Sequence, residues 1–271
     1  MAGRTMTADR EALLKVAALK KNFGGVRALE GLDLTIGSGE LVGLIGPNGS
    51  GKTTAFNLMT GVLKPSGGQI LFRGQDVTGN RPEENARLGM ARTFQNIRLF
   101  RDLPVIDNVA VGLHMRHGAG FWPTVLRIPA AVRSEAAIRA RALEVLEILD
   151  LRDRAGDLVA NLPYGDQRKV EFARALATEP SLLLLDEPSA GMNPQETAEL
   201  GATVARLHRD LGLTVLLVEH DMKMIMTHCQ RIHVINQGRM LAEGTPEQIQ
   251  RDPRVIEAYL GRRREGSHAV A

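Results

Sequence analysis

Gly46-Pro47-Asn48-Gly49-Ser50-Gly51-Lys52-Thr53 is the stretch on which the reading of this chain turns. It satisfies G-x-x-x-x-G-K-[ST], a loop whose backbone N–H groups cradle phosphates. Leu41-Val42-Gly43-Leu44-Ile45 precedes it, short, apolar and partly β-branched, which reads as a buried strand. Thr53-Thr54-Ala55-Phe56-Asn57-Leu58-Met59-Thr60 follows, rich in helix formers and stopped at Gly61. A polyphosphate needs many N–H donors at close range. Gly46, Gly49 and Gly51 carry no Cβ, so the backbone can wrap it, and the helix aims its positive end at the same anion. Lys52 adds a point charge for the β- and γ-phosphates, and the Thr53 hydroxyl suits Mg²⁺. The stretch therefore implies a nucleoside triphosphate site.

Composition narrows the class. The chain has 271 residues, 44% hydrophobic and 24% charged, with 34 basic residues against 31 acidic and a net charge of +3. No basic stripe marks a nucleic-acid binder. The dense run Arg262-Arg263-Arg264 reads as a solvated tail. Cys229 is the single cysteine, which excludes an intrachain disulfide and fits a reducing compartment. No apolar run approaches the roughly 20 residues that span a bilayer. Residues 1–11 lack the apolar core of a signal peptide. Any action at a membrane is expected to run through partners.

The remaining segments fall around the loop. Residues 13–36 alternate apolar and polar positions between Gly24-Gly25 and Gly37-Ser38-Gly39, which suits two or three antiparallel strands. Residues 69–77 read as one more strand of that sheet. Phe23, beside the glycine turn, either stacks on a base or packs on the turn. Ile106-Asp107-Asn108-Val109 reads as the start of a helix capped by Asp107 or Asn108, and residues 134–151 as a second helix, with Ile138, Ala142, Val145, Leu146 and Leu149 at the 3.6 period, while residues 114–123 read as the loop between them. Phe121 and Trp122 between them serve either helix packing or docking. Together these make a helical insert of about 80 residues.

Ser181-Leu182-Leu183-Leu184-Leu185-Asp186-Glu187-Pro188 reads as a strand buried on both faces whose end opens into a site. Asp186 suits Mg²⁺, and Glu187 suits a general base that places a water on the γ-phosphate. Residues 213–221 form another buried strand, and His220 stands where it emerges, positioned to contact a γ-phosphate. Arg231-Ile232-His233-Val234-Ile235-Asn236, turning at Gln237-Gly238, reads as a hairpin. Two short helices capped at Thr245 and Asp252 follow.

This set of motifs resembles an ATP-binding cassette (ABC) ATPase over nearly the whole chain. The signature-like segment is Leu162-Pro163-Tyr164-Gly165-Asp166-Gln167, followed by Ala173-Arg174-Ala175-Leu176. It departs from the family's Leu-Ser-Gly-Gly-Gln at Pro163, Tyr164 and Asp166. Pro163 offers neither hydroxyl nor N–H, while Gly165 and the following helix start can still supply donors. Leu162-Pro163-Tyr164-Gly165, with residues 185–194, 218–222 and the closing segments, is similar to the ATPases of bacterial branched-chain amino acid importers.

The resemblance implies an α/β P-loop NTPase core with a mixed sheet, an N-terminal antiparallel β subdomain and an inserted α-helical subdomain. Its expected boundaries are one cassette at 13–261, with a RecA-like core at 12–92 and 173–240, a helical subdomain at 93–172 and C-terminal helices at 241–261. Residues 1–11 and 262–271 are expected to be flexible tails. Phe23 is implied to stack the adenine, and residues 46–53 with Thr54 to hold the phosphates. Thr53, Gln95 and Asp186 are implied to ligate Mg²⁺, and Lys52, Gln95, Glu187 and His220 to serve hydrolysis. Gln95 is also implied to couple the γ-phosphate to membrane subunits. Residues 162–167 are implied to act on ATP held by an opposite subunit, with residues 189–193 at the dimer seam and residues 100–122 at the permease. ATP and Mg²⁺ are the implied cofactors. The implied partners are integral-membrane permeases, a second ABC ATPase subunit of the same or another kind and, indirectly, a periplasmic solute-binding protein, with no nucleic acid. The implied place is the cytoplasmic face of the inner membrane. Urea or other small-solute uptake, lipopolysaccharide export and a soluble nucleic-acid ATPase are the alternatives.

Overall fold

The computed structural model describes residues 11–93, 97–117 and 129–265. In chain order the first elements are β1 (Ala12–Phe23), β2 (Val26–Gly37), β3 (Leu41–Ile45), α1 (Lys52–Met59), β4 (Gly67–Phe72), β5 (Gln75–Asp76), α2 (Pro82–Leu88) and β6 (Met90–Arg92). Then come α3 (Val105–His117), α4 (Pro129–Ile148), α5 (Tyr164–Leu176), β7 (Leu182–Asp186), α6 (Pro194–Leu211), β8 (Thr214–Val218), α7 (Met222–His228), β9 (Arg231–Asn236), β10 (Arg239–Gly244), α8 (Pro246–Arg251) and α9 (Pro253–Glu265). They fall into two compact units. One is formed by the chain up to Pro82 and again from Ala205 onward, the other by Glu83–Val204.

In the first unit β1 and β2 pair antiparallel across Gly24-Gly25, with Phe23 opposite Val26. The register shifts near Ala18, where φ is 47° and the N–H donates to Asp33 Oδ1 at 2.8 Å. That bulge lets Leu14, Val16 and Leu19 all turn inward, although Val16 and Leu19 are an odd number of residues apart. β4 pairs antiparallel with β1. Residues 69–77 do not run on as one strand. Arg73 and Gly74 take positive φ of 51° and 75°, and β5 folds back on β4 as a tight hairpin.

A second group of strands in this unit has the order β10-β9-β3-β8. β3 is parallel to both β8 and β9, and β10 returns antiparallel on β9, so the group is mixed. Every residue of β3 and β8 is buried, which accounts for their unbroken apolar runs. Gly43 interrupts that run because α7 lies on it: a Cβ there would stand 3.1 Å from Ile225 Cδ1 and 3.2 Å from Cys229 Sγ. Burial pushes the Cys229 thiol up to about 12. His233 of β9 is fully buried, and its ring nitrogens find no hydrogen-bond partner. Desolvation pulls it down to about 4, against the opposing pull of Glu243, so the imidazole is held neutral. Thr245 closes a capping box with Gln248 at the start of α8, and Asp252 precedes α9, as the composition there predicts.

In the second unit β6 and β7 run parallel, and α3, α4 and α5 form the helical part. Ile138, Ala142, Val145, Leu146 and Leu149 are all buried, although the helix carrying the first four spans Pro129–Ile148 rather than 134–151. α3 starts at Val105, so Asp107 and Asn108 are not its cap, and it runs on to His117, taking in the first residues of the stretch expected as a loop. Asn108 is instead wholly buried inside the first turn. Its Oδ1 accepts from the Phe100 N–H at 2.8 Å, and its Nδ2 donates to the carbonyls of Phe100 at 3.0 Å and Pro104 at 3.1 Å. The amide staples the preceding loop to the helix, a role with no local spacing signal.

Two outcomes follow from these packings. A Cβ on Gly112 of α3 would fall 2.5 Å from the Arg174 carbonyl of α5. Gly112→Ala should therefore destabilise the protein by about 1–3 kcal/mol, read as a lower thermal midpoint. His233, depressed in the fold, contributes stability that is present above its unfolded pKa and lost as pH falls from about 6.5 towards about 4. Thermal midpoints measured across that window should drop with acid, and the drop should be shallower in His233→Phe.

Candidate active site

In the first unit the phosphate loop joins β3 to α1. Gly51 at the helix cap has φ 107°, a backbone that only glycine takes without strain. Its position is also tight: a Cβ would lie 2.9 Å from the Ala28 carbonyl oxygen of β2. Gly46 is tighter still, 2.1 Å from the Ile235 carbonyl. The turn between β9 and β10 reaches into the same place. Gly238 N–H donates to the Ser50 carbonyl at 2.8 Å, and the Gly238 carbonyl accepts from Glu30 N–H at 2.9 Å. The loop is thus fastened by bare backbone on both sides.

The Lys52 amine is buried and donates to the carbonyls of Gly46 at 2.7 Å and Pro47 at 3.2 Å, curling along the loop. Ser50 is 3% exposed, and its hydroxyl has no hydrogen-bond partner. Asn48, Gly49 and Thr53 are exposed and Thr54 is half-buried. The amides of the first turn of α1 lack intrahelical acceptors by the geometry of any helix start. A buried amine, an orphaned buried hydroxyl and a run of such amides make a loop built for an anion of several oxygens.

Phe23 closes β1 at 46% exposure, so a ring face is available for stacking, with Lys21 Nζ 5.1 Å from the ring centroid. His220 is exposed just past β8. Its N–H donates to Glu219 Oε2 at 3.0 Å, and the next residue, Asp221, caps α7 by accepting from Met224 N–H at 2.9 Å. Tyr259 on α9 was not among the expected site residues. Burial raises its phenol, and a backbone hydrogen bond with Gly46 opposes that rise, so the C-terminal helix touches the root of the loop.

In the second unit Asp186 ends the fully buried strand β7 at 5% exposure. Arg92 Nη2 donates to its Oδ2 at 3.0 Å across the β6–β7 pair. Desolvation lowers the Arg92 pKa while Asp186 opposes it, and the bond fixes the direction of the carboxylate. Nothing in the spacing of Arg92 and Asp186 announces this partner. Glu187 follows half-buried, with φ 48°, so the chain bends into the left-handed region at the acid itself. Asp186 and Thr53 are hard oxygen donors of the kind Mg²⁺ takes. Pro163 caps α5 with φ −54°, and Leu162 is buried. Gln167 Nε2 donates to the Leu162 carbonyl at 2.9 Å, and Asp166 lies 3.8 Å from Lys169 Nζ. Gly165 has open space at its Cβ position. Tyr164 connects this segment to the stretch after Glu187 by a hydrogen bond to Ala190. Gln95, Phe121 and Trp122 lie outside the described residues.

The family model for ABC transporters matches residues 29–190, and that for branched-chain amino acid ATP-binding cassette transporters matches residues 239–265. The chain is 47% identical over 251 residues to the high-affinity branched-chain amino acid transport ATP-binding protein LivG of Escherichia coli, covering 93% of this chain and 98% of that one. It is 44% identical to BraF of Pseudomonas aeruginosa, a protein of the same description, over 92% of this chain and 98% of that one. The lipopolysaccharide export ATP-binding protein LptB of Escherichia coli is 36% identical over 92% of this chain and 98% of its own length. Among solved structures, the ADP conformation of an ATP-binding cassette of an ABC transporter superposes with TM-score 0.80 at 30% identity, covering 92% of this chain and 99% of that one. A dimeric post-hydrolysis cassette bound to ADP and Pi gives 0.71 at 26% identity, covering 86% and 98%.

Gly238 offers a test of the loop's fastening from 187 residues away in sequence, counting from Gly51. It has φ 74°, and a Cβ there would lie 2.7 Å from the Ala28 carbonyl. Gly238→Ala should weaken nucleotide binding about tenfold, the scale of one displaced hydrogen bond with some strain, as measured by calorimetric titration.

Proposed function

Since the chain belongs to the ABC transporter ATP-binding family, we propose that it is the ATP-hydrolysing subunit of a bacterial importer that takes up branched-chain amino acids through partner permeases. The observation that carries the substrate class is the match of residues 239–265 to the branched-chain family model, beside LivG-type relatives that span nearly the whole chain. The chain is an ATPase coupled to transport. No described helix is long and apolar enough to cross a membrane, so the path for solute belongs to the partners. Those partners are integral-membrane permeases and a second ATPase subunit, with a periplasmic binding protein delivering solute, at the inner face of the membrane.

In this reading residues 46–54 bind and orient the phosphates, and Lys52 leaves the Gly46 and Pro47 carbonyls to meet their charge. Phe23 holds the base by stacking. Thr53, Asp186 and Gln95 would hold Mg²⁺, which supplies neutralisation of the phosphate oxygens when bound. Glu187 accepts a proton from a water as the water's oxygen bonds to the γ-phosphorus. The bond from that phosphorus to the β–γ bridging oxygen breaks, and ADP and phosphate leave. His220 holds the γ-phosphate by a hydrogen bond. Residues 162–167 reach the ATP of the second subunit, with the amides at the start of α5 standing in for the hydroxyl that Pro163 lacks.

Cells lacking this chain should lose saturable uptake of labelled leucine, isoleucine and valine. The intact gene should restore it, and Glu187→Gln should not, although the variant protein still binds ATP and forms a nucleotide-dependent dimer. Normal uptake with Glu187→Gln removes Glu187 as the base. Normal uptake without the chain removes the substrate class.

A further inference from the structure

The segment that follows Glu187 is held by a chain of hydrogen bonds that ends in a buried ion pair. Ala190 N–H donates to the Glu187 carbonyl at 3.1 Å, closing a turn directly behind the acid, and Met192 N–H donates to the Ser189 carbonyl at 3.0 Å. The Ala190 carbonyl accepts from the Tyr164 hydroxyl at 2.9 Å. That hydroxyl in turn accepts from Arg168 Nη2 at 3.0 Å, and Arg168 Nη1 donates to Glu171 Oε2 at 2.9 Å. Arg168 and Glu171 are 0% and 2% exposed, so the far end of the chain is fixed in the interior of the unit. The guanidinium carbon also lies 5.5 Å from the Tyr164 ring centroid.

Each link has a physical consequence. Glu187 has φ 48°, a conformation disfavoured for a residue with a Cβ, and it persists only where the surroundings hold it. The turn across residues 187–190 restrains it, and the Tyr164 hydroxyl anchors that turn from the side. A hydroxyl that accepts from a guanidinium is a stronger donor to the next carbonyl, because the two bonds polarise one another. The ring itself is 40% exposed, so burial of apolar area is not what Tyr164 provides. Its contribution is reach: from the first residue of α5 the phenol spans to a backbone carbonyl 26 residues further along the chain. Gly191, with φ 83°, lies beside the phenol, where a Cβ would make ordinary van der Waals contact at 3.7 Å from the Tyr164 oxygen.

We propose that Tyr164 is a positioning residue for ATP hydrolysis: its hydroxyl suspends the Glu187–Ala190 turn from the buried Arg168–Glu171 pair and so aims the Glu187 carboxylate. The residue at which the signature segment departs from the usual glycine therefore fixes the base within its own subunit. This rests on the reading of Glu187 as the base.

The test is steady-state ATP hydrolysis by the full-length chain carrying Tyr164→Phe, Glu187→Gln or both, with nucleotide affinity and thermal midpoint measured alongside. Phenylalanine keeps the ring against Arg168 and removes only the hydroxyl. Turnover at saturating ATP should fall about tenfold, the scale of a misaimed base, while KM for ATP stays within about twofold and the protein remains folded at the assay temperature. In the Glu187→Gln background the same substitution should cause no further loss, because Tyr164 acts through Glu187. Unchanged turnover in Tyr164→Phe overturns the proposal, as does a fall matched by an equal loss of ATP affinity or by unfolding. A further loss in the double variant overturns it too, since Tyr164 then acts elsewhere. Normal turnover in Glu187→Gln alone removes the base itself, a result that separates failure of the underlying reading from failure of the proposal.

Discussion

The close approach of three backbones around Ala28 is the constraint on which the phosphate loop depends. Gly51 and Gly238 both lie so near the Ala28 carbonyl that a Cβ on either would clash, at 2.9 and 2.7 Å. Between them the Gly238 amide holds the Ser50 carbonyl. A loop that must present its amides to an anion can spare few of them to brace itself: the Ser50 N–H turns back to the Pro47 carbonyl at 3.1 Å, and the rest of the bracing runs through the loop's carbonyls and its neighbours. The antiparallel hairpin of β1 and β2 and the turn between β9 and β10 supply that brace. The parts of the first unit that look remote from chemistry are what keep the loop's shape.

The acids of the second unit are held by a different kind of force. Asp186 is directed by a charged partner, Arg92, and the turn after Glu187 by a tyrosine tied to a buried Arg–Glu pair. A buried charge is tolerated only when paired and hydrogen-bonded, and a pair so placed is rigid. Backbone contacts suit the loop because they leave its amides to face an anion. An ion pair suits Asp186 because it fixes the direction of a carboxylate at a strand end that is otherwise apolar.

Much of this was legible in the residues. The phosphate loop, the leucine strand ending in Asp186 and Glu187, the Gln237-Gly238 hairpin and the Thr245 cap all carry local signals: glycine at tight turns, unbroken apolar runs where both faces are buried, capping residues ahead of a proline. The misses share one physical cause. Asn108 looked like a helix cap because caps are short polar residues, yet its amide bonds a loop behind it. Residues 69–77 looked like one strand because apolar alternation does not register a positive φ at Arg73. Arg92, Tyr164 and Tyr259 matter through contacts with residues 94, 26 and 213 positions away, respectively Asp186, Ala190 and Gly46. Pairings of that kind have no period and no spacing, so they are set by the fold alone.

The same distinction explains how the signature segment can depart from its family pattern without disturbing the unit that carries it. Pro163 needs no N–H at a helix cap, where that donor has no acceptor within the helix, and its φ of −54° suits the helix start. Tyr164 at the first helical position brings its phenol to residues 190–191, bonding the Ala190 carbonyl and lying beside Gly191. The two substitutions are thus compatible with one another and with the glycine opposite. A small residue at 164 would strip the Ala190 carbonyl of its phenol donor and leave Arg168 with one fewer acceptor, whereas a large residue at 191 would crowd the ring. The phenol and the carbonyl it reaches form a single local arrangement, which is why position 164 is read most usefully together with the segment it touches rather than with its neighbours in sequence.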